Sequence, residues 1–128
     1  MIDPLFIDEI SSDYWYDEGL DYSRAVLTAF TDYEWAELSV LWPTQSLEWQ
    51  DRLAYILGFN PLTREAELLI KMYRTAARTV ALTALENLRY MDFFIVKQAC
   101  ISLAQEISIS SLLIEKCNST NEIIELLS

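Results

Sequence analysis

The chain has 128 residues, enough for one domain, and 52% of them are hydrophobic, so an intrinsically disordered chain is excluded. The 20 acidic residues outnumber the 9 basic ones, and the net charge of −11 argues against nucleic acid or an anionic membrane surface as the partner. The absence of histidine removes the commonest general base and the commonest metal ligand.

Apolar residues recur at helical spacing from about residue 20 to the end, whereas strand-like alternation is scarce. The sequence therefore predicts an all-α domain in which an acidic arm, residues 1–20, precedes helix pairs over 21–128. Eight helices are expected: about 21–30; from Thr31 or Asp32 to Trp42; from Ser46 to Gly58; from Pro61-Leu62-Thr63; about 78–91; from Asp92; about 109–117; and from Ser119 to the end.

The periodicity also predicts which side of each helix faces the core. On the first helix the inward residues are expected to be Ala25, Val26, Ala29 and Phe30. Trp42 and Trp49 are assigned to the core as well, and Cys100 and Cys117 are expected to be reduced core residues. Because no export signal is visible, we expect a cytoplasmic protein.

The negative charge is concentrated in the first part of the chain. Residues 1–51 hold 12 acids and one base, Arg24, whereas residues 52–128 hold 8 of each. The same segment carries 10 of the 16 aromatic residues, including all four tryptophans. Clustered like charge destabilises a compact fold but attracts and steers a basic partner, and large rings often anchor interfaces. The pattern favours a binding surface over an ordinary solvated acidic face.

Comparing the chain with itself at a shift of 31 residues places the third helix on the fifth. Trp49 then falls on Val80, Leu53 on Ala84, Ala54 on Leu85 and Leu57 on Leu88, as the sequence shows. Each copy reads helix, short turn, helix. Such a pair cannot bury its own apolar face, and stacking successive pairs does.

Residues 33–58 resemble a HEAT repeat: an apolar first helix, Pro43 in the turn, and a second helix that ends Ala54-Tyr55-Ile56-Leu57-Gly58. Residues 63–89 resemble it more loosely, and residues 93–117 keep only the apolar pattern. The resemblance implies a short, curved α-solenoid that binds proteins. The chain is also similar in size, charge and repeat style to small bacterial immunity proteins, which neutralise a cognate toxin.

Departures from the HEAT pattern leave an irregular helical bundle as the alternative fold. The Val-Arg that usually begins the second helix of the repeat is Trp49-Gln50 in one copy and Val80-Ala81 in the next. The aspartate expected before it is Ser46 in one copy and Ala77 in the next.

Few residues combine in a way that predicts chemistry. Asp13, Asp17 and Asp21 have helical spacing, but the segment fails the EF-hand pattern, so no metal site is predicted. A cysteine nucleophile would lack a histidine partner. The bases Arg64, Lys71, Arg74 and Arg78 could form an anion patch, but Glu65 and Glu67 lie beside them, so we expect ordinary surface pairing instead. We therefore predict that the protein is not an enzyme and binds no cofactor or metal.

Helix geometry predicts a binding surface instead. Glu48, Asp51 and Tyr55 lie on the side of the third helix opposite its core stripe, and the 31-residue shift adds Glu86 one layer on. Tyr14, Trp15 and Tyr16 are the candidate aromatic anchors. The complete predicted partner-binding set is Asp13, Tyr14, Trp15, Tyr16, Asp17, Glu18, Asp21, Tyr22, Glu48, Asp51, Tyr55 and Glu86.

The sequence thus leads to two main hypotheses, with an acidic enzyme, which would need a closed pocket and a perturbed carboxylate, as a third. In the first, the protein neutralises a basic protein, such as a nuclease toxin, by covering its active or substrate-binding surface, and is an immunity protein. In the second, it is a structural adaptor or a homo-oligomeric subunit. The composition and spacing leave the oligomeric state open.

Overall fold

The structure is a computed structural model that describes residues 20–128, and within that range it is all-helical, with no strand. The all-α prediction is confirmed. The helices are α1 (Leu20–Thr28), α2 (Asp32–Leu41), α3 (Leu47–Ile56), α4 (Thr63–Thr75), α5 (Arg78–Tyr90), α6 (Phe93–Ser102), α7 (Ser111–Glu115) and α8 (Thr120–Leu127), with a 3₁₀ turn at Trp42–Thr44.

The predicted helix starts are confirmed by hydrogen bonds. Thr31 and Glu34 form a capping box: the Thr31 hydroxyl accepts from the Glu34 N–H, and the Glu34 carboxylate accepts from the Thr31 N–H at 3.1 Å. Ser46, Asp92 and Ser119 each accept a backbone N–H in the first turn of α3, α6 and α8. These local bonds satisfy N–H groups that have no partner within the helix.

The helix ends follow the sequence signals closely. Gly58 has φ of 90°, the left-handed conformation predicted for the residue that stops α3. A Cβ at Gly58 would also lie 3.2 Å from Leu69 Cδ1 and from Met91 Sδ, so α4 and the end of α5 pack closely on this turn. Pro43 lies within the 3₁₀ turn that terminates α2.

One continuous core runs through the described helices. The assignments of Trp42 and Trp49 to the core are confirmed, and both cysteines are buried and free. Burial raises the pKa of Cys100 to about 12, so this thiol stays protonated. Thiols in this state are packing groups rather than nucleophiles.

The predicted inward side of α1 is wrong in part. Ala25 and Ala29 are exposed, and Val26 is only partly buried, whereas Ser23, Leu27 and Phe30 are buried. Ala25 and Ala29 shifted the predicted apolar stripe to their own side of α1. In the structure the bulkier Leu27 and Phe30 set the face that packs, because they bury more apolar area.

Alternate helices lie side by side, and hydrogen bonds link α3 to its neighbours on both sides. Helix α3 packs on α1 and on α5, and α4 packs on α5 and α6. Asn60 Nδ2 donates to Thr28 Oγ1 at 2.8 Å, and Thr83 Oγ1 donates to Asp51 Oδ1 at 2.6 Å, each across 32 residues. The first bond joins the end of α1 to the turn after α3, and the second joins α3 to α5.

Candidate functional site

The exposed sides of α1, α3 and α5 form one surface, which we call the α1–α3–α5 face. It carries Tyr22 on α1, Tyr55 on α3 and Glu86 on α5, and all three side chains are exposed. The Asn87 amide donates to the Tyr55 carbonyl at 3.0 Å, so Glu86 and Tyr55 belong to neighbouring positions on adjacent helices. The structure therefore brings the predicted residues Tyr55 and Glu86 close together, while Tyr22 is exposed on α1.

The acidic residues of this face differ in their surroundings. Asp21 is exposed at the start of α1. Glu48 Oε1 accepts from Arg52 Nη2 at 2.7 Å, and Asp51 accepts from Thr83. The predicted residues Asp13, Tyr14, Trp15, Tyr16, Asp17 and Glu18 lie outside the described residues.

Arg52 is an unexpected buried charge beneath the face. Its side chain is 1% exposed, whereas that of its partner Glu48 is 54% exposed. A buried guanidinium needs an anion and hydrogen-bond acceptors to offset its lost hydration. Glu48 therefore stabilises the buried Arg52 although it is itself exposed, and Arg52 partly balances its negative charge.

The structure adds two aromatic residues that the predicted set lacks. Phe59 is 63% exposed and Tyr90 is 83% exposed, and both line a pocket of about 280 Å³ beside Tyr55. The Arg24 guanidinium lies 4.1 Å from the centre of the Phe59 ring, a cation–π contact. A signal for them existed in the sequence, because the 31-residue shift that aligns α3 with α5 also places Phe59 on Tyr90.

Asn87 holds α3 and α5 together at the centre of this face. Its Nδ2 lies 2.6 Å from the Ala54 carbonyl oxygen and 3.0 Å from those of Tyr55 and Leu57. The last carbonyls of a helix have no partner within it, so a side-chain donor from the next layer satisfies them. The backbone that carries Tyr55 is thereby positioned by the neighbouring helix.

Among the described residues, no group of three or more acidic, cysteine or histidine side chains is arranged to hold a metal ion. No helix between residues 20 and 128 has the length and apolar character needed to cross a bilayer. What the face offers is rings, carboxylates and backbone-anchored amides, which suit contact with another macromolecule.

No protein family model, curated protein or solved structure matches this chain. The interpretation of the α1–α3–α5 face therefore rests on its own geometry.

The expected surface pairs on α4 are wrong in their partners. Arg64 Nη1 lies 3.2 Å from Asp32 Oδ1 on α2, and Lys71 Nζ lies 3.5 Å from Glu106 Oε2. Glu65, expected at the surface, is 1% exposed. Its Oε1 accepts from the Gly58 N–H at 2.9 Å, which ties the start of α4 to the turn after α3.

Burial raises the pKa of Glu65, and the hydrogen bond from Gly58 opposes that rise without cancelling it. A raised pKa in the folded state means that the folded protein holds this proton more tightly than the unfolded chain does. The contribution of Glu65 to stability is therefore greatest at acid pH and is lost as pH rises through the raised pKa.

We expect Glu65→Gln to remove this component of the pH dependence. Glutamine keeps an oxygen that can accept from Gly58 and cannot ionise. The difference in unfolding free energy, native minus variant, should fall between acid and neutral pH in urea titrations of both proteins. Glu67→Gln, on the same helix but partly exposed, is the control and should give a difference that changes little with pH. A Glu65→Gln difference that rises with pH would contradict the expectation.

Proposed function

We propose that this protein binds a basic protein through the α1–α3–α5 face and neutralises it by covering its functional surface. The observation that carries the proposal is the group of exposed rings Tyr55, Phe59 and Tyr90, which line one pocket together with Arg24 of α1. Exposed rings that lie close together are typical of interaction sites. A nuclease toxin is the partner class that we propose, which would make the protein an immunity protein acting in the cytoplasm.

We propose that the scaffold is a short HEAT-like α-solenoid. In each helix pair, α2 or α4 is the first helix and α3 or α5 is the second. A hydrogen bond across 32 residues joins the second helices, from Thr83 to Asp51, and another across 32 residues joins the first helices, from Arg64 to Asp32. One displacement for both kinds of helix is what stacked helix pairs require. The second helices then share one broad surface, on which contacts from several layers act together.

The proposed mechanism is occlusion rather than chemistry. Basic side chains that a nuclease uses to hold phosphates would pair with Asp21, Asp51 and Glu86, while rings such as Tyr55 fill apolar recesses of the partner. Negative potential speeds encounter, and the well-packed centre of an interface supplies most of the affinity. No cofactor or metal takes part in this mechanism.

The experiment begins with capture of partners from the native host on the full chain, followed by identification by mass spectrometry. We expect a basic protein whose nuclease activity disappears when the purified chain is added. Tyr55→Ala should weaken its binding about tenfold or more, whereas Leu112→Ala, an exposed residue on α7, should leave it unchanged. Equal effects of the two variants would contradict the assignment of the face.

The association rate and its dependence on salt concentration provide a second test of this proposal. The isosteric change Asp51→Asn keeps an oxygen for the Thr83 hydroxyl but removes the charge. Together with Asp21→Asn it should slow association and flatten its dependence on salt concentration. An association rate that is the same at low and high salt would remove the electrostatic part of the proposal. A stable homodimer that buries Tyr55 would favour the adaptor hypothesis instead.

A further inference from the structure

The pocket beside Tyr55 carries a positive charge. Among the described residues that line its volume of about 280 Å³, Arg24 is the one charged side chain, and no acid contributes to the lining. Arg24 is also the only base among residues 1–51, which hold 12 acids. The charge at this pocket is therefore opposite in sign to the net charge of the segment from which it comes.

Within residues 20–128, Arg24 has no carboxylate partner. Asp21 lies three residues before it on α1, and Glu86 precedes the lining residue Asn87 on α5, but neither forms an ion pair with it. The Arg24 Nε is buried and donates to no described atom. A guanidinium that has lost part of its hydration is stabilised by an anion, so this pocket favours a ligand with negative charge.

The surrounding residues hold the Arg24 guanidinium in place for such a contact. Its Cζ lies 4.1 Å from the centre of the Phe59 ring, and a guanidinium stacked on a ring keeps N–H groups available at its edge. Asn60, which follows Phe59, is tied to Thr28 of α1 by a hydrogen bond of 2.8 Å. The turn that carries the ring is thereby fixed to the helix that carries the charge. Less of the binding energy is then spent on ordering Arg24.

We propose that this pocket receives a carboxylate of the partner protein, from an aspartate or glutamate side chain, which pairs with the terminal nitrogens of Arg24. The inference rests on the proposed function, because it concerns the same partner and the same face. It makes Arg24 the residue that determines specificity. Any basic surface is attracted to the acids of the face, but only a partner with a carboxylate at the matching place also satisfies Arg24.

The direction of one mutational effect separates this contact from general electrostatics. If net charge alone mattered, removing a base would strengthen the binding of a basic partner. We expect Arg24→Gln instead to weaken binding of the captured partner about tenfold or more, mainly through faster dissociation. Arg78→Gln removes an exposed base at the start of α5 and should leave the affinity within about twofold. Unchanged or tighter binding of Arg24→Gln would overturn the inference.

A second variant keeps the test valid if Arg24→Gln disturbs the fold, which urea unfolding of each variant measures. Arg24→Lys retains the positive charge but replaces the planar guanidinium with one ammonium group. Its affinity for the captured partner should lie between those of the wild type and Arg24→Gln. An affinity of Arg24→Lys as low as that of Arg24→Gln would show that the charge at this position does not contribute to binding.

A titration without the partner tests the pocket by itself. The probes are two capped tripeptides, Leu-Glu-Leu and Leu-Gln-Leu, which differ in charge but not in shape. We expect the glutamate peptide to shift the Arg24 Nε–H resonance of the full chain and the glutamine peptide to leave it in place. Equal shifts with both peptides would overturn the inference. If neither peptide shifts the resonance while Tyr55→Ala still weakens the captured partner, the proposed function stands and this inference fails.

A photo-crosslinking residue at Tyr90, which lines the pocket, identifies the occupant directly. Attachment to a segment of the captured partner that contains an aspartate or glutamate supports the inference. Attachment to residues 1–19 of the same chain, or to a second copy of it, would overturn it.

Discussion

Replacing Leu53 with alanine is expected to lower the free energy of unfolding by about 2–5 kcal/mol. Leu53 is completely buried in α3, the helix that packs on both α1 and α5. Truncating its side chain removes buried apolar area and leaves a cavity, because α1 and α5 cannot both move inward to fill the space. Urea unfolding followed by circular dichroism measures the change.

Leu82→Ala is the matched control for this substitution. Leu82 is a helix residue too, on α5, but half of its surface is exposed. Its truncation should cost about 0.5 kcal/mol or less, because surface substitutions rarely cost more. If the two substitutions cost the same, Leu53 would not be packed in the core as the structure has it.

Replacing Asn87 with aspartate is expected to destabilise the protein by about 3 kcal/mol, although the two side chains have the same shape. The amide donates to carbonyl oxygens of Ala54, Tyr55 and Leu57, and a carboxylate has no proton to donate to them. The bonds to Ala54 and Leu57 are partly buried, and each such carbonyl that loses its donor costs about 1–3 kcal/mol; the added negative charge repels all three carbonyl oxygens.

The destabilisation should shrink at acid pH, because a protonated carboxyl at position 87 can donate to one carbonyl again. Asn121→Asp, on an exposed residue in the first turn of α8, should have little effect or stabilise slightly. A cost that does not depend on pH would show that the Asn87 hydrogen bonds are not its cause. Unfolding titrations of the three proteins at acid and neutral pH separate these outcomes.

The sequence predicted the helices and their caps well because those signals are local. Thr31, Ser46, Asp92 and Ser119 begin helices through bonds to N–H groups only two or three residues away. Gly58 stops α3 through its own backbone conformation. None of these requires knowledge of which helix lies next to which.

Charges were harder to place, because their partners are distant in sequence. Arg64 pairs with Asp32 rather than with an acid of its own helix, and Glu65 turns inward to bind the Gly58 N–H. The burial of Arg52 has no local signature either. In each case the environment of the charge depends on how α4 or α3 is oriented against its neighbours.

Only part of the candidate face was predicted, because helical spacing indicates outward residues only within a helix. The internal repeat brings Tyr55 and Glu86 to matching positions, and helical spacing turns both outward. Phe59 and Tyr90 obey the same repeat, but Phe59 follows the glycine that ends α3, where helical periodicity no longer applies. The exposure of Tyr33 and Val40 on one side of α2 was not predicted, because α2 is apolar on several sides and periodicity could not choose between them.

Taken by itself, the sequence determined approximately where most helices begin and end, and that negative charge and rings concentrate in one part of the chain. Tertiary packing decided which side of α1 and α2 is covered, which charges are buried, and which rings meet on one surface. The physical reason is that helix formation and capping depend on residues within about one turn, whereas burial depends on helices that meet across some 30 residues of chain.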